Sequence, residues 1–263
     1  MIQVRDLTFG YPSQPALFES FNWHVARDEA WAVVGPSGCG KSTLLYLLAG
    51  LRLAASGEIQ IGGEKLTRPR PRTGLILQDF GLLPWATVEG NAALGLRVRR
   101  FYGPDRRHAP DEHRMRKAEI DQRVSSWLSR LGIANLRKQY PAQISGGQRQ
   151  RTAIARTLAM NPDLLLMDEP FSALDALTRE NLERLTLELR AETGVTTVVV
   201  THNIEEAVYL GERLLLLRRA PHRAALIIDN PEAGQTDYRE KPAFQARCNQ
   251  VRGLLGEKID AEA

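Results

Sequence analysis

The sequence has 263 residues, of which 25% are charged and 43% hydrophobic, with a formal net charge of +4. That is enough chain for one large domain, or a domain with a subdomain, around a sizeable core, and the composition is that of an ordinary soluble protein. So small a net charge gives no argument for a nucleic-acid partner, which would call for a clustered basic face.

The first residues, MIQVRDLTFGYP, lack the charged-then-apolar pattern of a leader. Ile2 to Phe9 alternates apolar and polar and predicts a strand, as does Phe21 to Ala26. Trp31 to Val34 is a short, wholly apolar run, the signature of a buried parallel strand. It leads into GPSGCGKST at 35–43, after which Leu44, Leu45, Leu47 and Leu48 open a helix. The apolar stretch continues to Ala55, but Gly50 and Arg52 break it and it is too short for a bilayer core of about 30 Å. Glu58 to Ile61 and Gly74 to Leu77 predict further strands.

From Val88 to Met160 the period turns helical; Val124, Trp127, Leu128 and Leu131 share one face. A strand-free stretch of that length predicts a separate helical subdomain. Within it, Arg97 to Arg123 is Arg-rich and reads as a solvated surface insertion, with a lipid-headgroup or regulator contact as the alternative. His108 and His113 lie there without a third ligand at suitable spacing, so no metal site is expected. Leu164 to Met167, Val195 to Val200 and Leu214 to Leu217 return to buried strands, the last of them expected to end the core. Strands alternating with helices imply a mostly parallel sheet. The polar tail beyond Arg219 ends in Phe244, Cys248, Val251 and Leu255, spaced as an amphipathic helix that opens near Pro242. Cys39 and Cys248, the only cysteines, are far apart and suit a reducing cytoplasm without a disulfide framework.

GPSGCGKS fits G-x-x-x-x-G-K-[ST], the Walker A phosphate loop, in the strand-to-helix setting the motif requires. Gly35, Gly38 and Gly40 let the backbone approach phosphate oxygens, with Pro36, Ser37, Cys39 and Thr43 completing the loop. The positive end of the following helix falls on the same phosphates. Lys41 is placed to reach the β- and γ-phosphates and Ser42 to ligate Mg²⁺. Farther on, an apolar strand ends in Asp168-Glu169. Asp168 can orient a metal's water shell, and Glu169 can accept a proton from an attacking water; phosphoryl transfer needs little else beyond positioning and charge neutralisation.

These residues resemble the ATP-binding-cassette (ABC) ATPases along almost the entire chain. Six motifs stand in the family's order: GPSGCGKST, Gln78 after a strand, ISGGQ at 144–148, LLLMDEP at 164–170, Ser172-Ala173-Leu174-Asp175, and Thr201-His202. The resemblance implies an α/β fold: a P-loop NTPase (RecA-like) core with an N-terminal antiparallel β-subdomain and an inserted α-helical subdomain. The cassette would occupy 1–220, with core about 1–87 and 162–220 and helices about 88–161, followed by a short extension at 221–263. It further implies that Tyr11 stacks on adenine, that Gln78 ligates the metal or water and senses a membrane partner, and that His202 contacts the γ-phosphate. Asp175 would cross a dimer interface. The helix N-terminus at Ser145, Gly146, Gly147 and Gln148 would close over the γ-phosphate of a second copy, so that a homodimer sandwiches two ATP molecules and their Mg²⁺. Two departures are Ile144 in place of the usual leucine and Asn203 in place of a common aspartate after the switch histidine.

Soluble translation-type relatives carry two cassettes per chain, DNA-repair relatives carry long coiled coils, and exporters often fuse a membrane domain; this chain shows none of these. An importer ATPase docked on two separate permease subunits is therefore expected at the cytoplasmic face of the inner membrane. A lipid-handling or export system, or a soluble non-transport ATPase, are the alternatives. The stretch QDFGLLPWATVEGN is similar to the nitrate, sulfonate and taurine type of importer ATPase, as is the closing KPAFQARCNQVRGLL. That resemblance implies a small anionic or polar solute delivered by a binding protein, and Leu82, Leu83 and Trp85 as a dock for the membrane subunits.

Overall fold

A computed structural model describes residues 1–105, 107–109, 115–235 and 237–256. His113 and the end of the predicted 221–263 extension fall outside them. The chain forms two compact units, one of residues 1–69 with 186–263 and the other of residues 70–185.

In the first unit, β1 (Ile2–Gly10), β2 (Ala16–Val25), β4 (Ser56–Ile61) and β5 (Glu64–Lys65) make an antiparallel sheet in the order β2-β1-β4-β5. Ile2 sits opposite both Val25 and Ile61, and all three are buried, which fixes the register by their shared face. The parallel part is β3 (Ala30–Val34) between β8 (Thr196–Thr201) and β9 (Arg213–Leu216). Every residue of β3 and β8 is buried, as the apolar run of β3 and the Val198–Val200 centre of β8 predict for strands covered on both faces, with Thr196, Thr197 and Thr201 buried beside them. Helix α1 (Lys41–Leu48) buries Leu44, Leu45, Leu47 and Leu48, each contributing about 1.5–3 kcal/mol by leaving water.

The expectation that the last strand of the core ends near Leu217 is overturned. A further strand, β10 (Leu226–Asp229), pairs antiparallel with β9 and precedes α7 (Pro242–Gly256). The polar tail holds itself in place by buried hydrogen bonds. Asn230 donates to the Val208 and Gly211 carbonyls at 2.7 and 2.8 Å and accepts from the Tyr238 hydroxyl at 2.6 Å. Helix α7 buries Phe244, Cys248 and Val251 and packs against α6 (Ile204–Leu210), while Leu255 is only half-buried.

In the second unit, β6 (Thr73–Ile76) and β7 (Leu164–Asp168) pair in parallel, with Ile76 opposite Met167. Helices α2 (Val88–Tyr102), α3 (Lys117–Arg130) and α4 (Gly146–Leu158) pack on one another. The two ends of the Arg-rich insertion, residues 97–102 and 117–123, are thus the end of α2 and the start of α3. His108 stacks on Tyr102 at 3.8 Å and bonds Asp105 at 2.6 Å. Helix α5 (Ala176–Thr193) follows, with the boundary between units inside it.

Candidate functional site

In the first unit, residues 35–43 join the carboxyl end of β3 to α1. Gly35 is dictated by its neighbour: a Cβ there would lie 2.0 Å from the Leu217 carbonyl oxygen. Gly40 caps α1 at φ 104°, a left-handed conformation that side chains other than glycine's resist. Lys41, only 5% exposed, turns its ammonium back into the loop and donates to the Gly35 and Pro36 carbonyls, both at 2.8 Å. Cys39 is buried, and that burial pushes its thiol pKa up, which suits a small apolar filler rather than a reactive thiol. Ser42 is half-buried at the first turn of α1, and Pro36, Ser37 and Gly38 are exposed.

Tyr11 follows the end of β1, its ring edge-on to Phe9 at 5.3 Å and beneath the Arg52 guanidinium at 5.8 Å. Its hydroxyl and that of Thr43 are 3.2 Å apart, which joins the predicted adenine platform to the loop helix. His202 begins the turn after β8, whose Thr201 lies opposite Val34, so parallel pairing brings the histidine and the loop to the same strand ends. The adjacent Asn203 is engaged as the N-cap of α6, accepting from the Glu205 and Glu206 N–H groups at 2.9 and 3.3 Å. Here the amide replaces a common aspartate without any loss of the cap.

In the second unit, Gln78 and the Asp168-Glu169 pair leave the carboxyl ends of β6 and β7. Asp168 is buried, Glu169 half-buried, and the Gln78 Nε2 lies 3.5 Å from the Glu169 carboxylate. Glu169 adopts φ 43°, a left-handed conformation costing a non-glycine residue about 1–3 kcal/mol. The Ser172 hydroxyl and N–H donate to its carbonyl at 3.0 and 3.3 Å and hold it so.

Ser145 caps α4: its hydroxyl accepts from the Gln148 N–H at 3.3 Å while the Gln148 side chain accepts from the Ser145 N–H at 2.9 Å. The Gly146 and Gly147 N–H groups open the first turn of that helix, at its positive end. A Cβ at Gly147 would lie 2.5 Å from the Thr178 methyl, so close packing demands this glycine independently of any ligand. Asp175 accepts from the Thr178 N–H at 3.0 Å as the cap of α5, and that bond holds its carboxyl below the usual range.

The loop 78–87 is held by two residues the motifs do not name. Buried Asn91 accepts from the Leu83 N–H at 2.7 Å and donates to the Leu83, Ala86 and Thr87 carbonyls. Arg156 donates to the Phe80 carbonyl at 2.8 Å and to that of Gly81. An asparagine one turn into a predicted helix was the available signal for the first; Arg156 offered none. On this anchored loop Leu82 and Leu83 are half-buried, whereas Trp85 is 74% exposed. Trp85 is therefore no part of a helical core.

A family model described as ABC transporter matches residues 18–172. The Taurine import ATP-binding proteins TauB of Shigella boydii serotype 4 (strain Sb227) and Escherichia coli (strain K12) are 43% and 42% identical over 223 residues, 85% of this chain and 82% of each relative. A solved dimeric ATP-binding cassette, in a post-hydrolysis state with ADP and Pi, matches with TM-score 0.72 at 30% identity, over 87% of this chain and 98% of that one.

Proposed function

The chain belongs to the ABC transporter family as one of its ATP-hydrolysing cassettes, and from that premise we propose that it energises import of a small anionic or polar solute through separate membrane subunits. The relatives named taurine import proteins support the solute class. The observation that carries the catalytic reading is Glu169, held in a strained conformation at the end of β7 beside the Gln78 amide.

In this reading the N–H groups of the 35–43 loop cradle the ATP phosphates and Lys41 exchanges its two carbonyl partners for phosphate oxygens. Tyr11 supports the adenine. Ser42, Gln78 and Asp168, the last through water, are the Mg²⁺ donors; all are oxygen donors, which that hard cation takes. Bound there, Mg²⁺ neutralises charge on the phosphates. Glu169 takes the proton of the attacking water, and His202 contacts the γ-phosphate. The Ser145–Gln148 turn and Asp175 act toward the nucleotide of a second copy, a reading supported by the dimeric state named for the solved cassette. Leu82, Leu83 and Trp85 receive the permease subunits, and a binding protein outside the membrane delivers the solute. Among the described residues no helix is long and apolar enough to cross a membrane; in this reading the permease subunits hold the chain as a peripheral subunit at the cytoplasmic face.

The test is Glu169→Gln. With MgATP it should bind nucleotide like wild type, lose hydrolysis by at least about 100-fold, and elute as a nucleotide-loaded dimer. Wild-type turnover in this variant would remove Glu169 from its role. Lys41→Ala should instead lose nucleotide affinity, since it deletes a direct charge-assisted phosphate contact.

A further inference from the structure

His222 lies in the polar stretch beyond the parallel strands, and no motif of the family reading uses it. It is buried. Its N–H donates to the Leu17 carbonyl at 2.8 Å and its carbonyl accepts from the Glu19 N–H at 3.0 Å, so that it pairs in parallel with Phe18 at the start of β2. Its ring lies 5.4 Å from that of Phe18. Its Nε2 reaches the Cys39 carbonyl oxygen at 2.7 Å, inside the 35–43 loop. A carbonyl only accepts, so Nε2 carries the proton and donates. Burial lowers the pKa of the ring, and the bond to Cys39 opposes that shift.

The bond has a geometric consequence. The peptide between Cys39 and Gly40 is planar and trans, so its C=O and N–H point in opposite directions. Holding the Cys39 oxygen on the His222 side turns the Gly40 N–H away from His222. Gly40 itself offers little resistance to rotation of that plane, since it lacks a side chain and sits at φ 104°. Phe18, the neighbour of His222, lies against it too: a Cβ at Gly40 would stand 3.5 Å from the Phe18 ring. Phe18 and His222 thus back the peptide between Cys39 and Gly40.

We propose that His222 is a positioning residue for nucleotide phosphates: by holding the Cys39 carbonyl it aims the Gly40 N–H at the bound phosphate before the ligand arrives. The proposal rests on the reading of 35–43 as the phosphate loop. A donor aimed in advance needs no reorganisation when the ligand binds, and that advantage is lost if the peptide is free to turn.

The experiment compares His222→Gln, whose amide can place an N–H near the Nε2 position, with His222→Leu, which fills the space without a donor. MgATP KM and kcat and the affinity for MgADP are measured together with melting in the absence of nucleotide. The His222→Leu variant should weaken both nucleotides by about tenfold, the size of one lost neutral hydrogen bond, and the His222→Gln variant by much less, at similar melting midpoints. Should His222→Leu not fold, His222→Asn, whose shorter amide falls short of the carbonyl, takes its place. Equal affinity in all variants overturns the proposal, and so does a loss shared equally by His222→Gln and His222→Leu, which marks a merely structural role. If wild type binds no nucleotide and Lys41→Ala changes nothing, the phosphate-loop reading itself fails and takes this inference with it.

Discussion

The Gln78 side-chain amide stands 3.5 Å from the Glu169 carboxylate because β6 and β7 run parallel with Ile76 opposite Met167, so both residues leave the sheet at the same end. Gln78 also begins the loop that carries exposed Trp85. If that loop joins the membrane partner to the proposed base, Gln78→Ala should lower ATP turnover by about tenfold or more, as loss of an orienting group does, with ATP affinity within about twofold. In reconstituted vesicles the remaining hydrolysis should no longer rise when the solute and its binding protein are added. Undiminished stimulation would show that the signal does not run through Gln78.

Ser145 is predicted to act on the nucleotide of a second copy. The Lys41→Ala and Ser145→Arg chains should each be inactive alone. Mixed and allowed to exchange, they form a heterodimer with one doubly damaged site and one intact site, and up to about half of wild-type activity per heterodimer should return if sites fire independently. A Ser145→Arg homodimer as active as wild type would end the idea.

What could be read from the sequence is what is local along the chain. The 35–43 loop, the Asp168-Glu169 strand end and the Ser145 helix start each hold their groups within a few residues, so spacing in sequence is spacing in space. The buried strands were equally plain, because β3 is apolar throughout and β8 carries Val198, Val199 and Val200 at its centre. What escaped was polar and long-range. Strand β10 follows residues that look like a solvated tail, and Asn230 and His222 look hydrophilic until their partners arrive from other parts of the chain. The glycines were legible as residues but not in every cause. Gly35 yields to the Leu217 carbonyl and Gly147 to Thr178, packing constraints that a motif cannot announce.

Acid should weaken the fold partly through His222. Burial depresses its pKa below the ordinary value of 6.5, so the folded state favours the neutral ring. Its contribution is therefore complete above the unfolded value and is lost as pH falls through the lower folded value. Between neutral pH and about pH 5, the melting midpoint of wild type should fall more steeply than that of His222→Gln, which has no ring to protonate. Parallel profiles would mean that the imidazole charges without penalty.

Trp85 offers the sharpest separation of docking from folding. Its ring is exposed, yet its backbone lies in a loop fastened by Asn91 at Leu83, Ala86 and Thr87 and by Arg156 at Phe80 and Gly81. A large aromatic held outward on a rigid support loses little conformational entropy when covered, and such residues often dominate interfaces. Burying it can contribute on the order of 2 kcal/mol or more. Trp85→Ala should therefore leave the isolated cassette's melting midpoint and ATP affinity unchanged while reducing co-purification with the permease subunits and abolishing uptake. Asn91→Ala is the contrasting variant: it strands the Leu83 N–H and the Ala86 carbonyl, while the Leu83 and Thr87 carbonyls keep the backbone N–H groups of residues 86 and 91; at about 1–3 kcal/mol for a buried group left unpaired, it should lower the melting midpoint of the cassette by itself. A Trp85→Ala cassette that melts as early as Asn91→Ala would place the tryptophan in the packing of its own chain, and one that still assembles with the permease would exclude it from the dock.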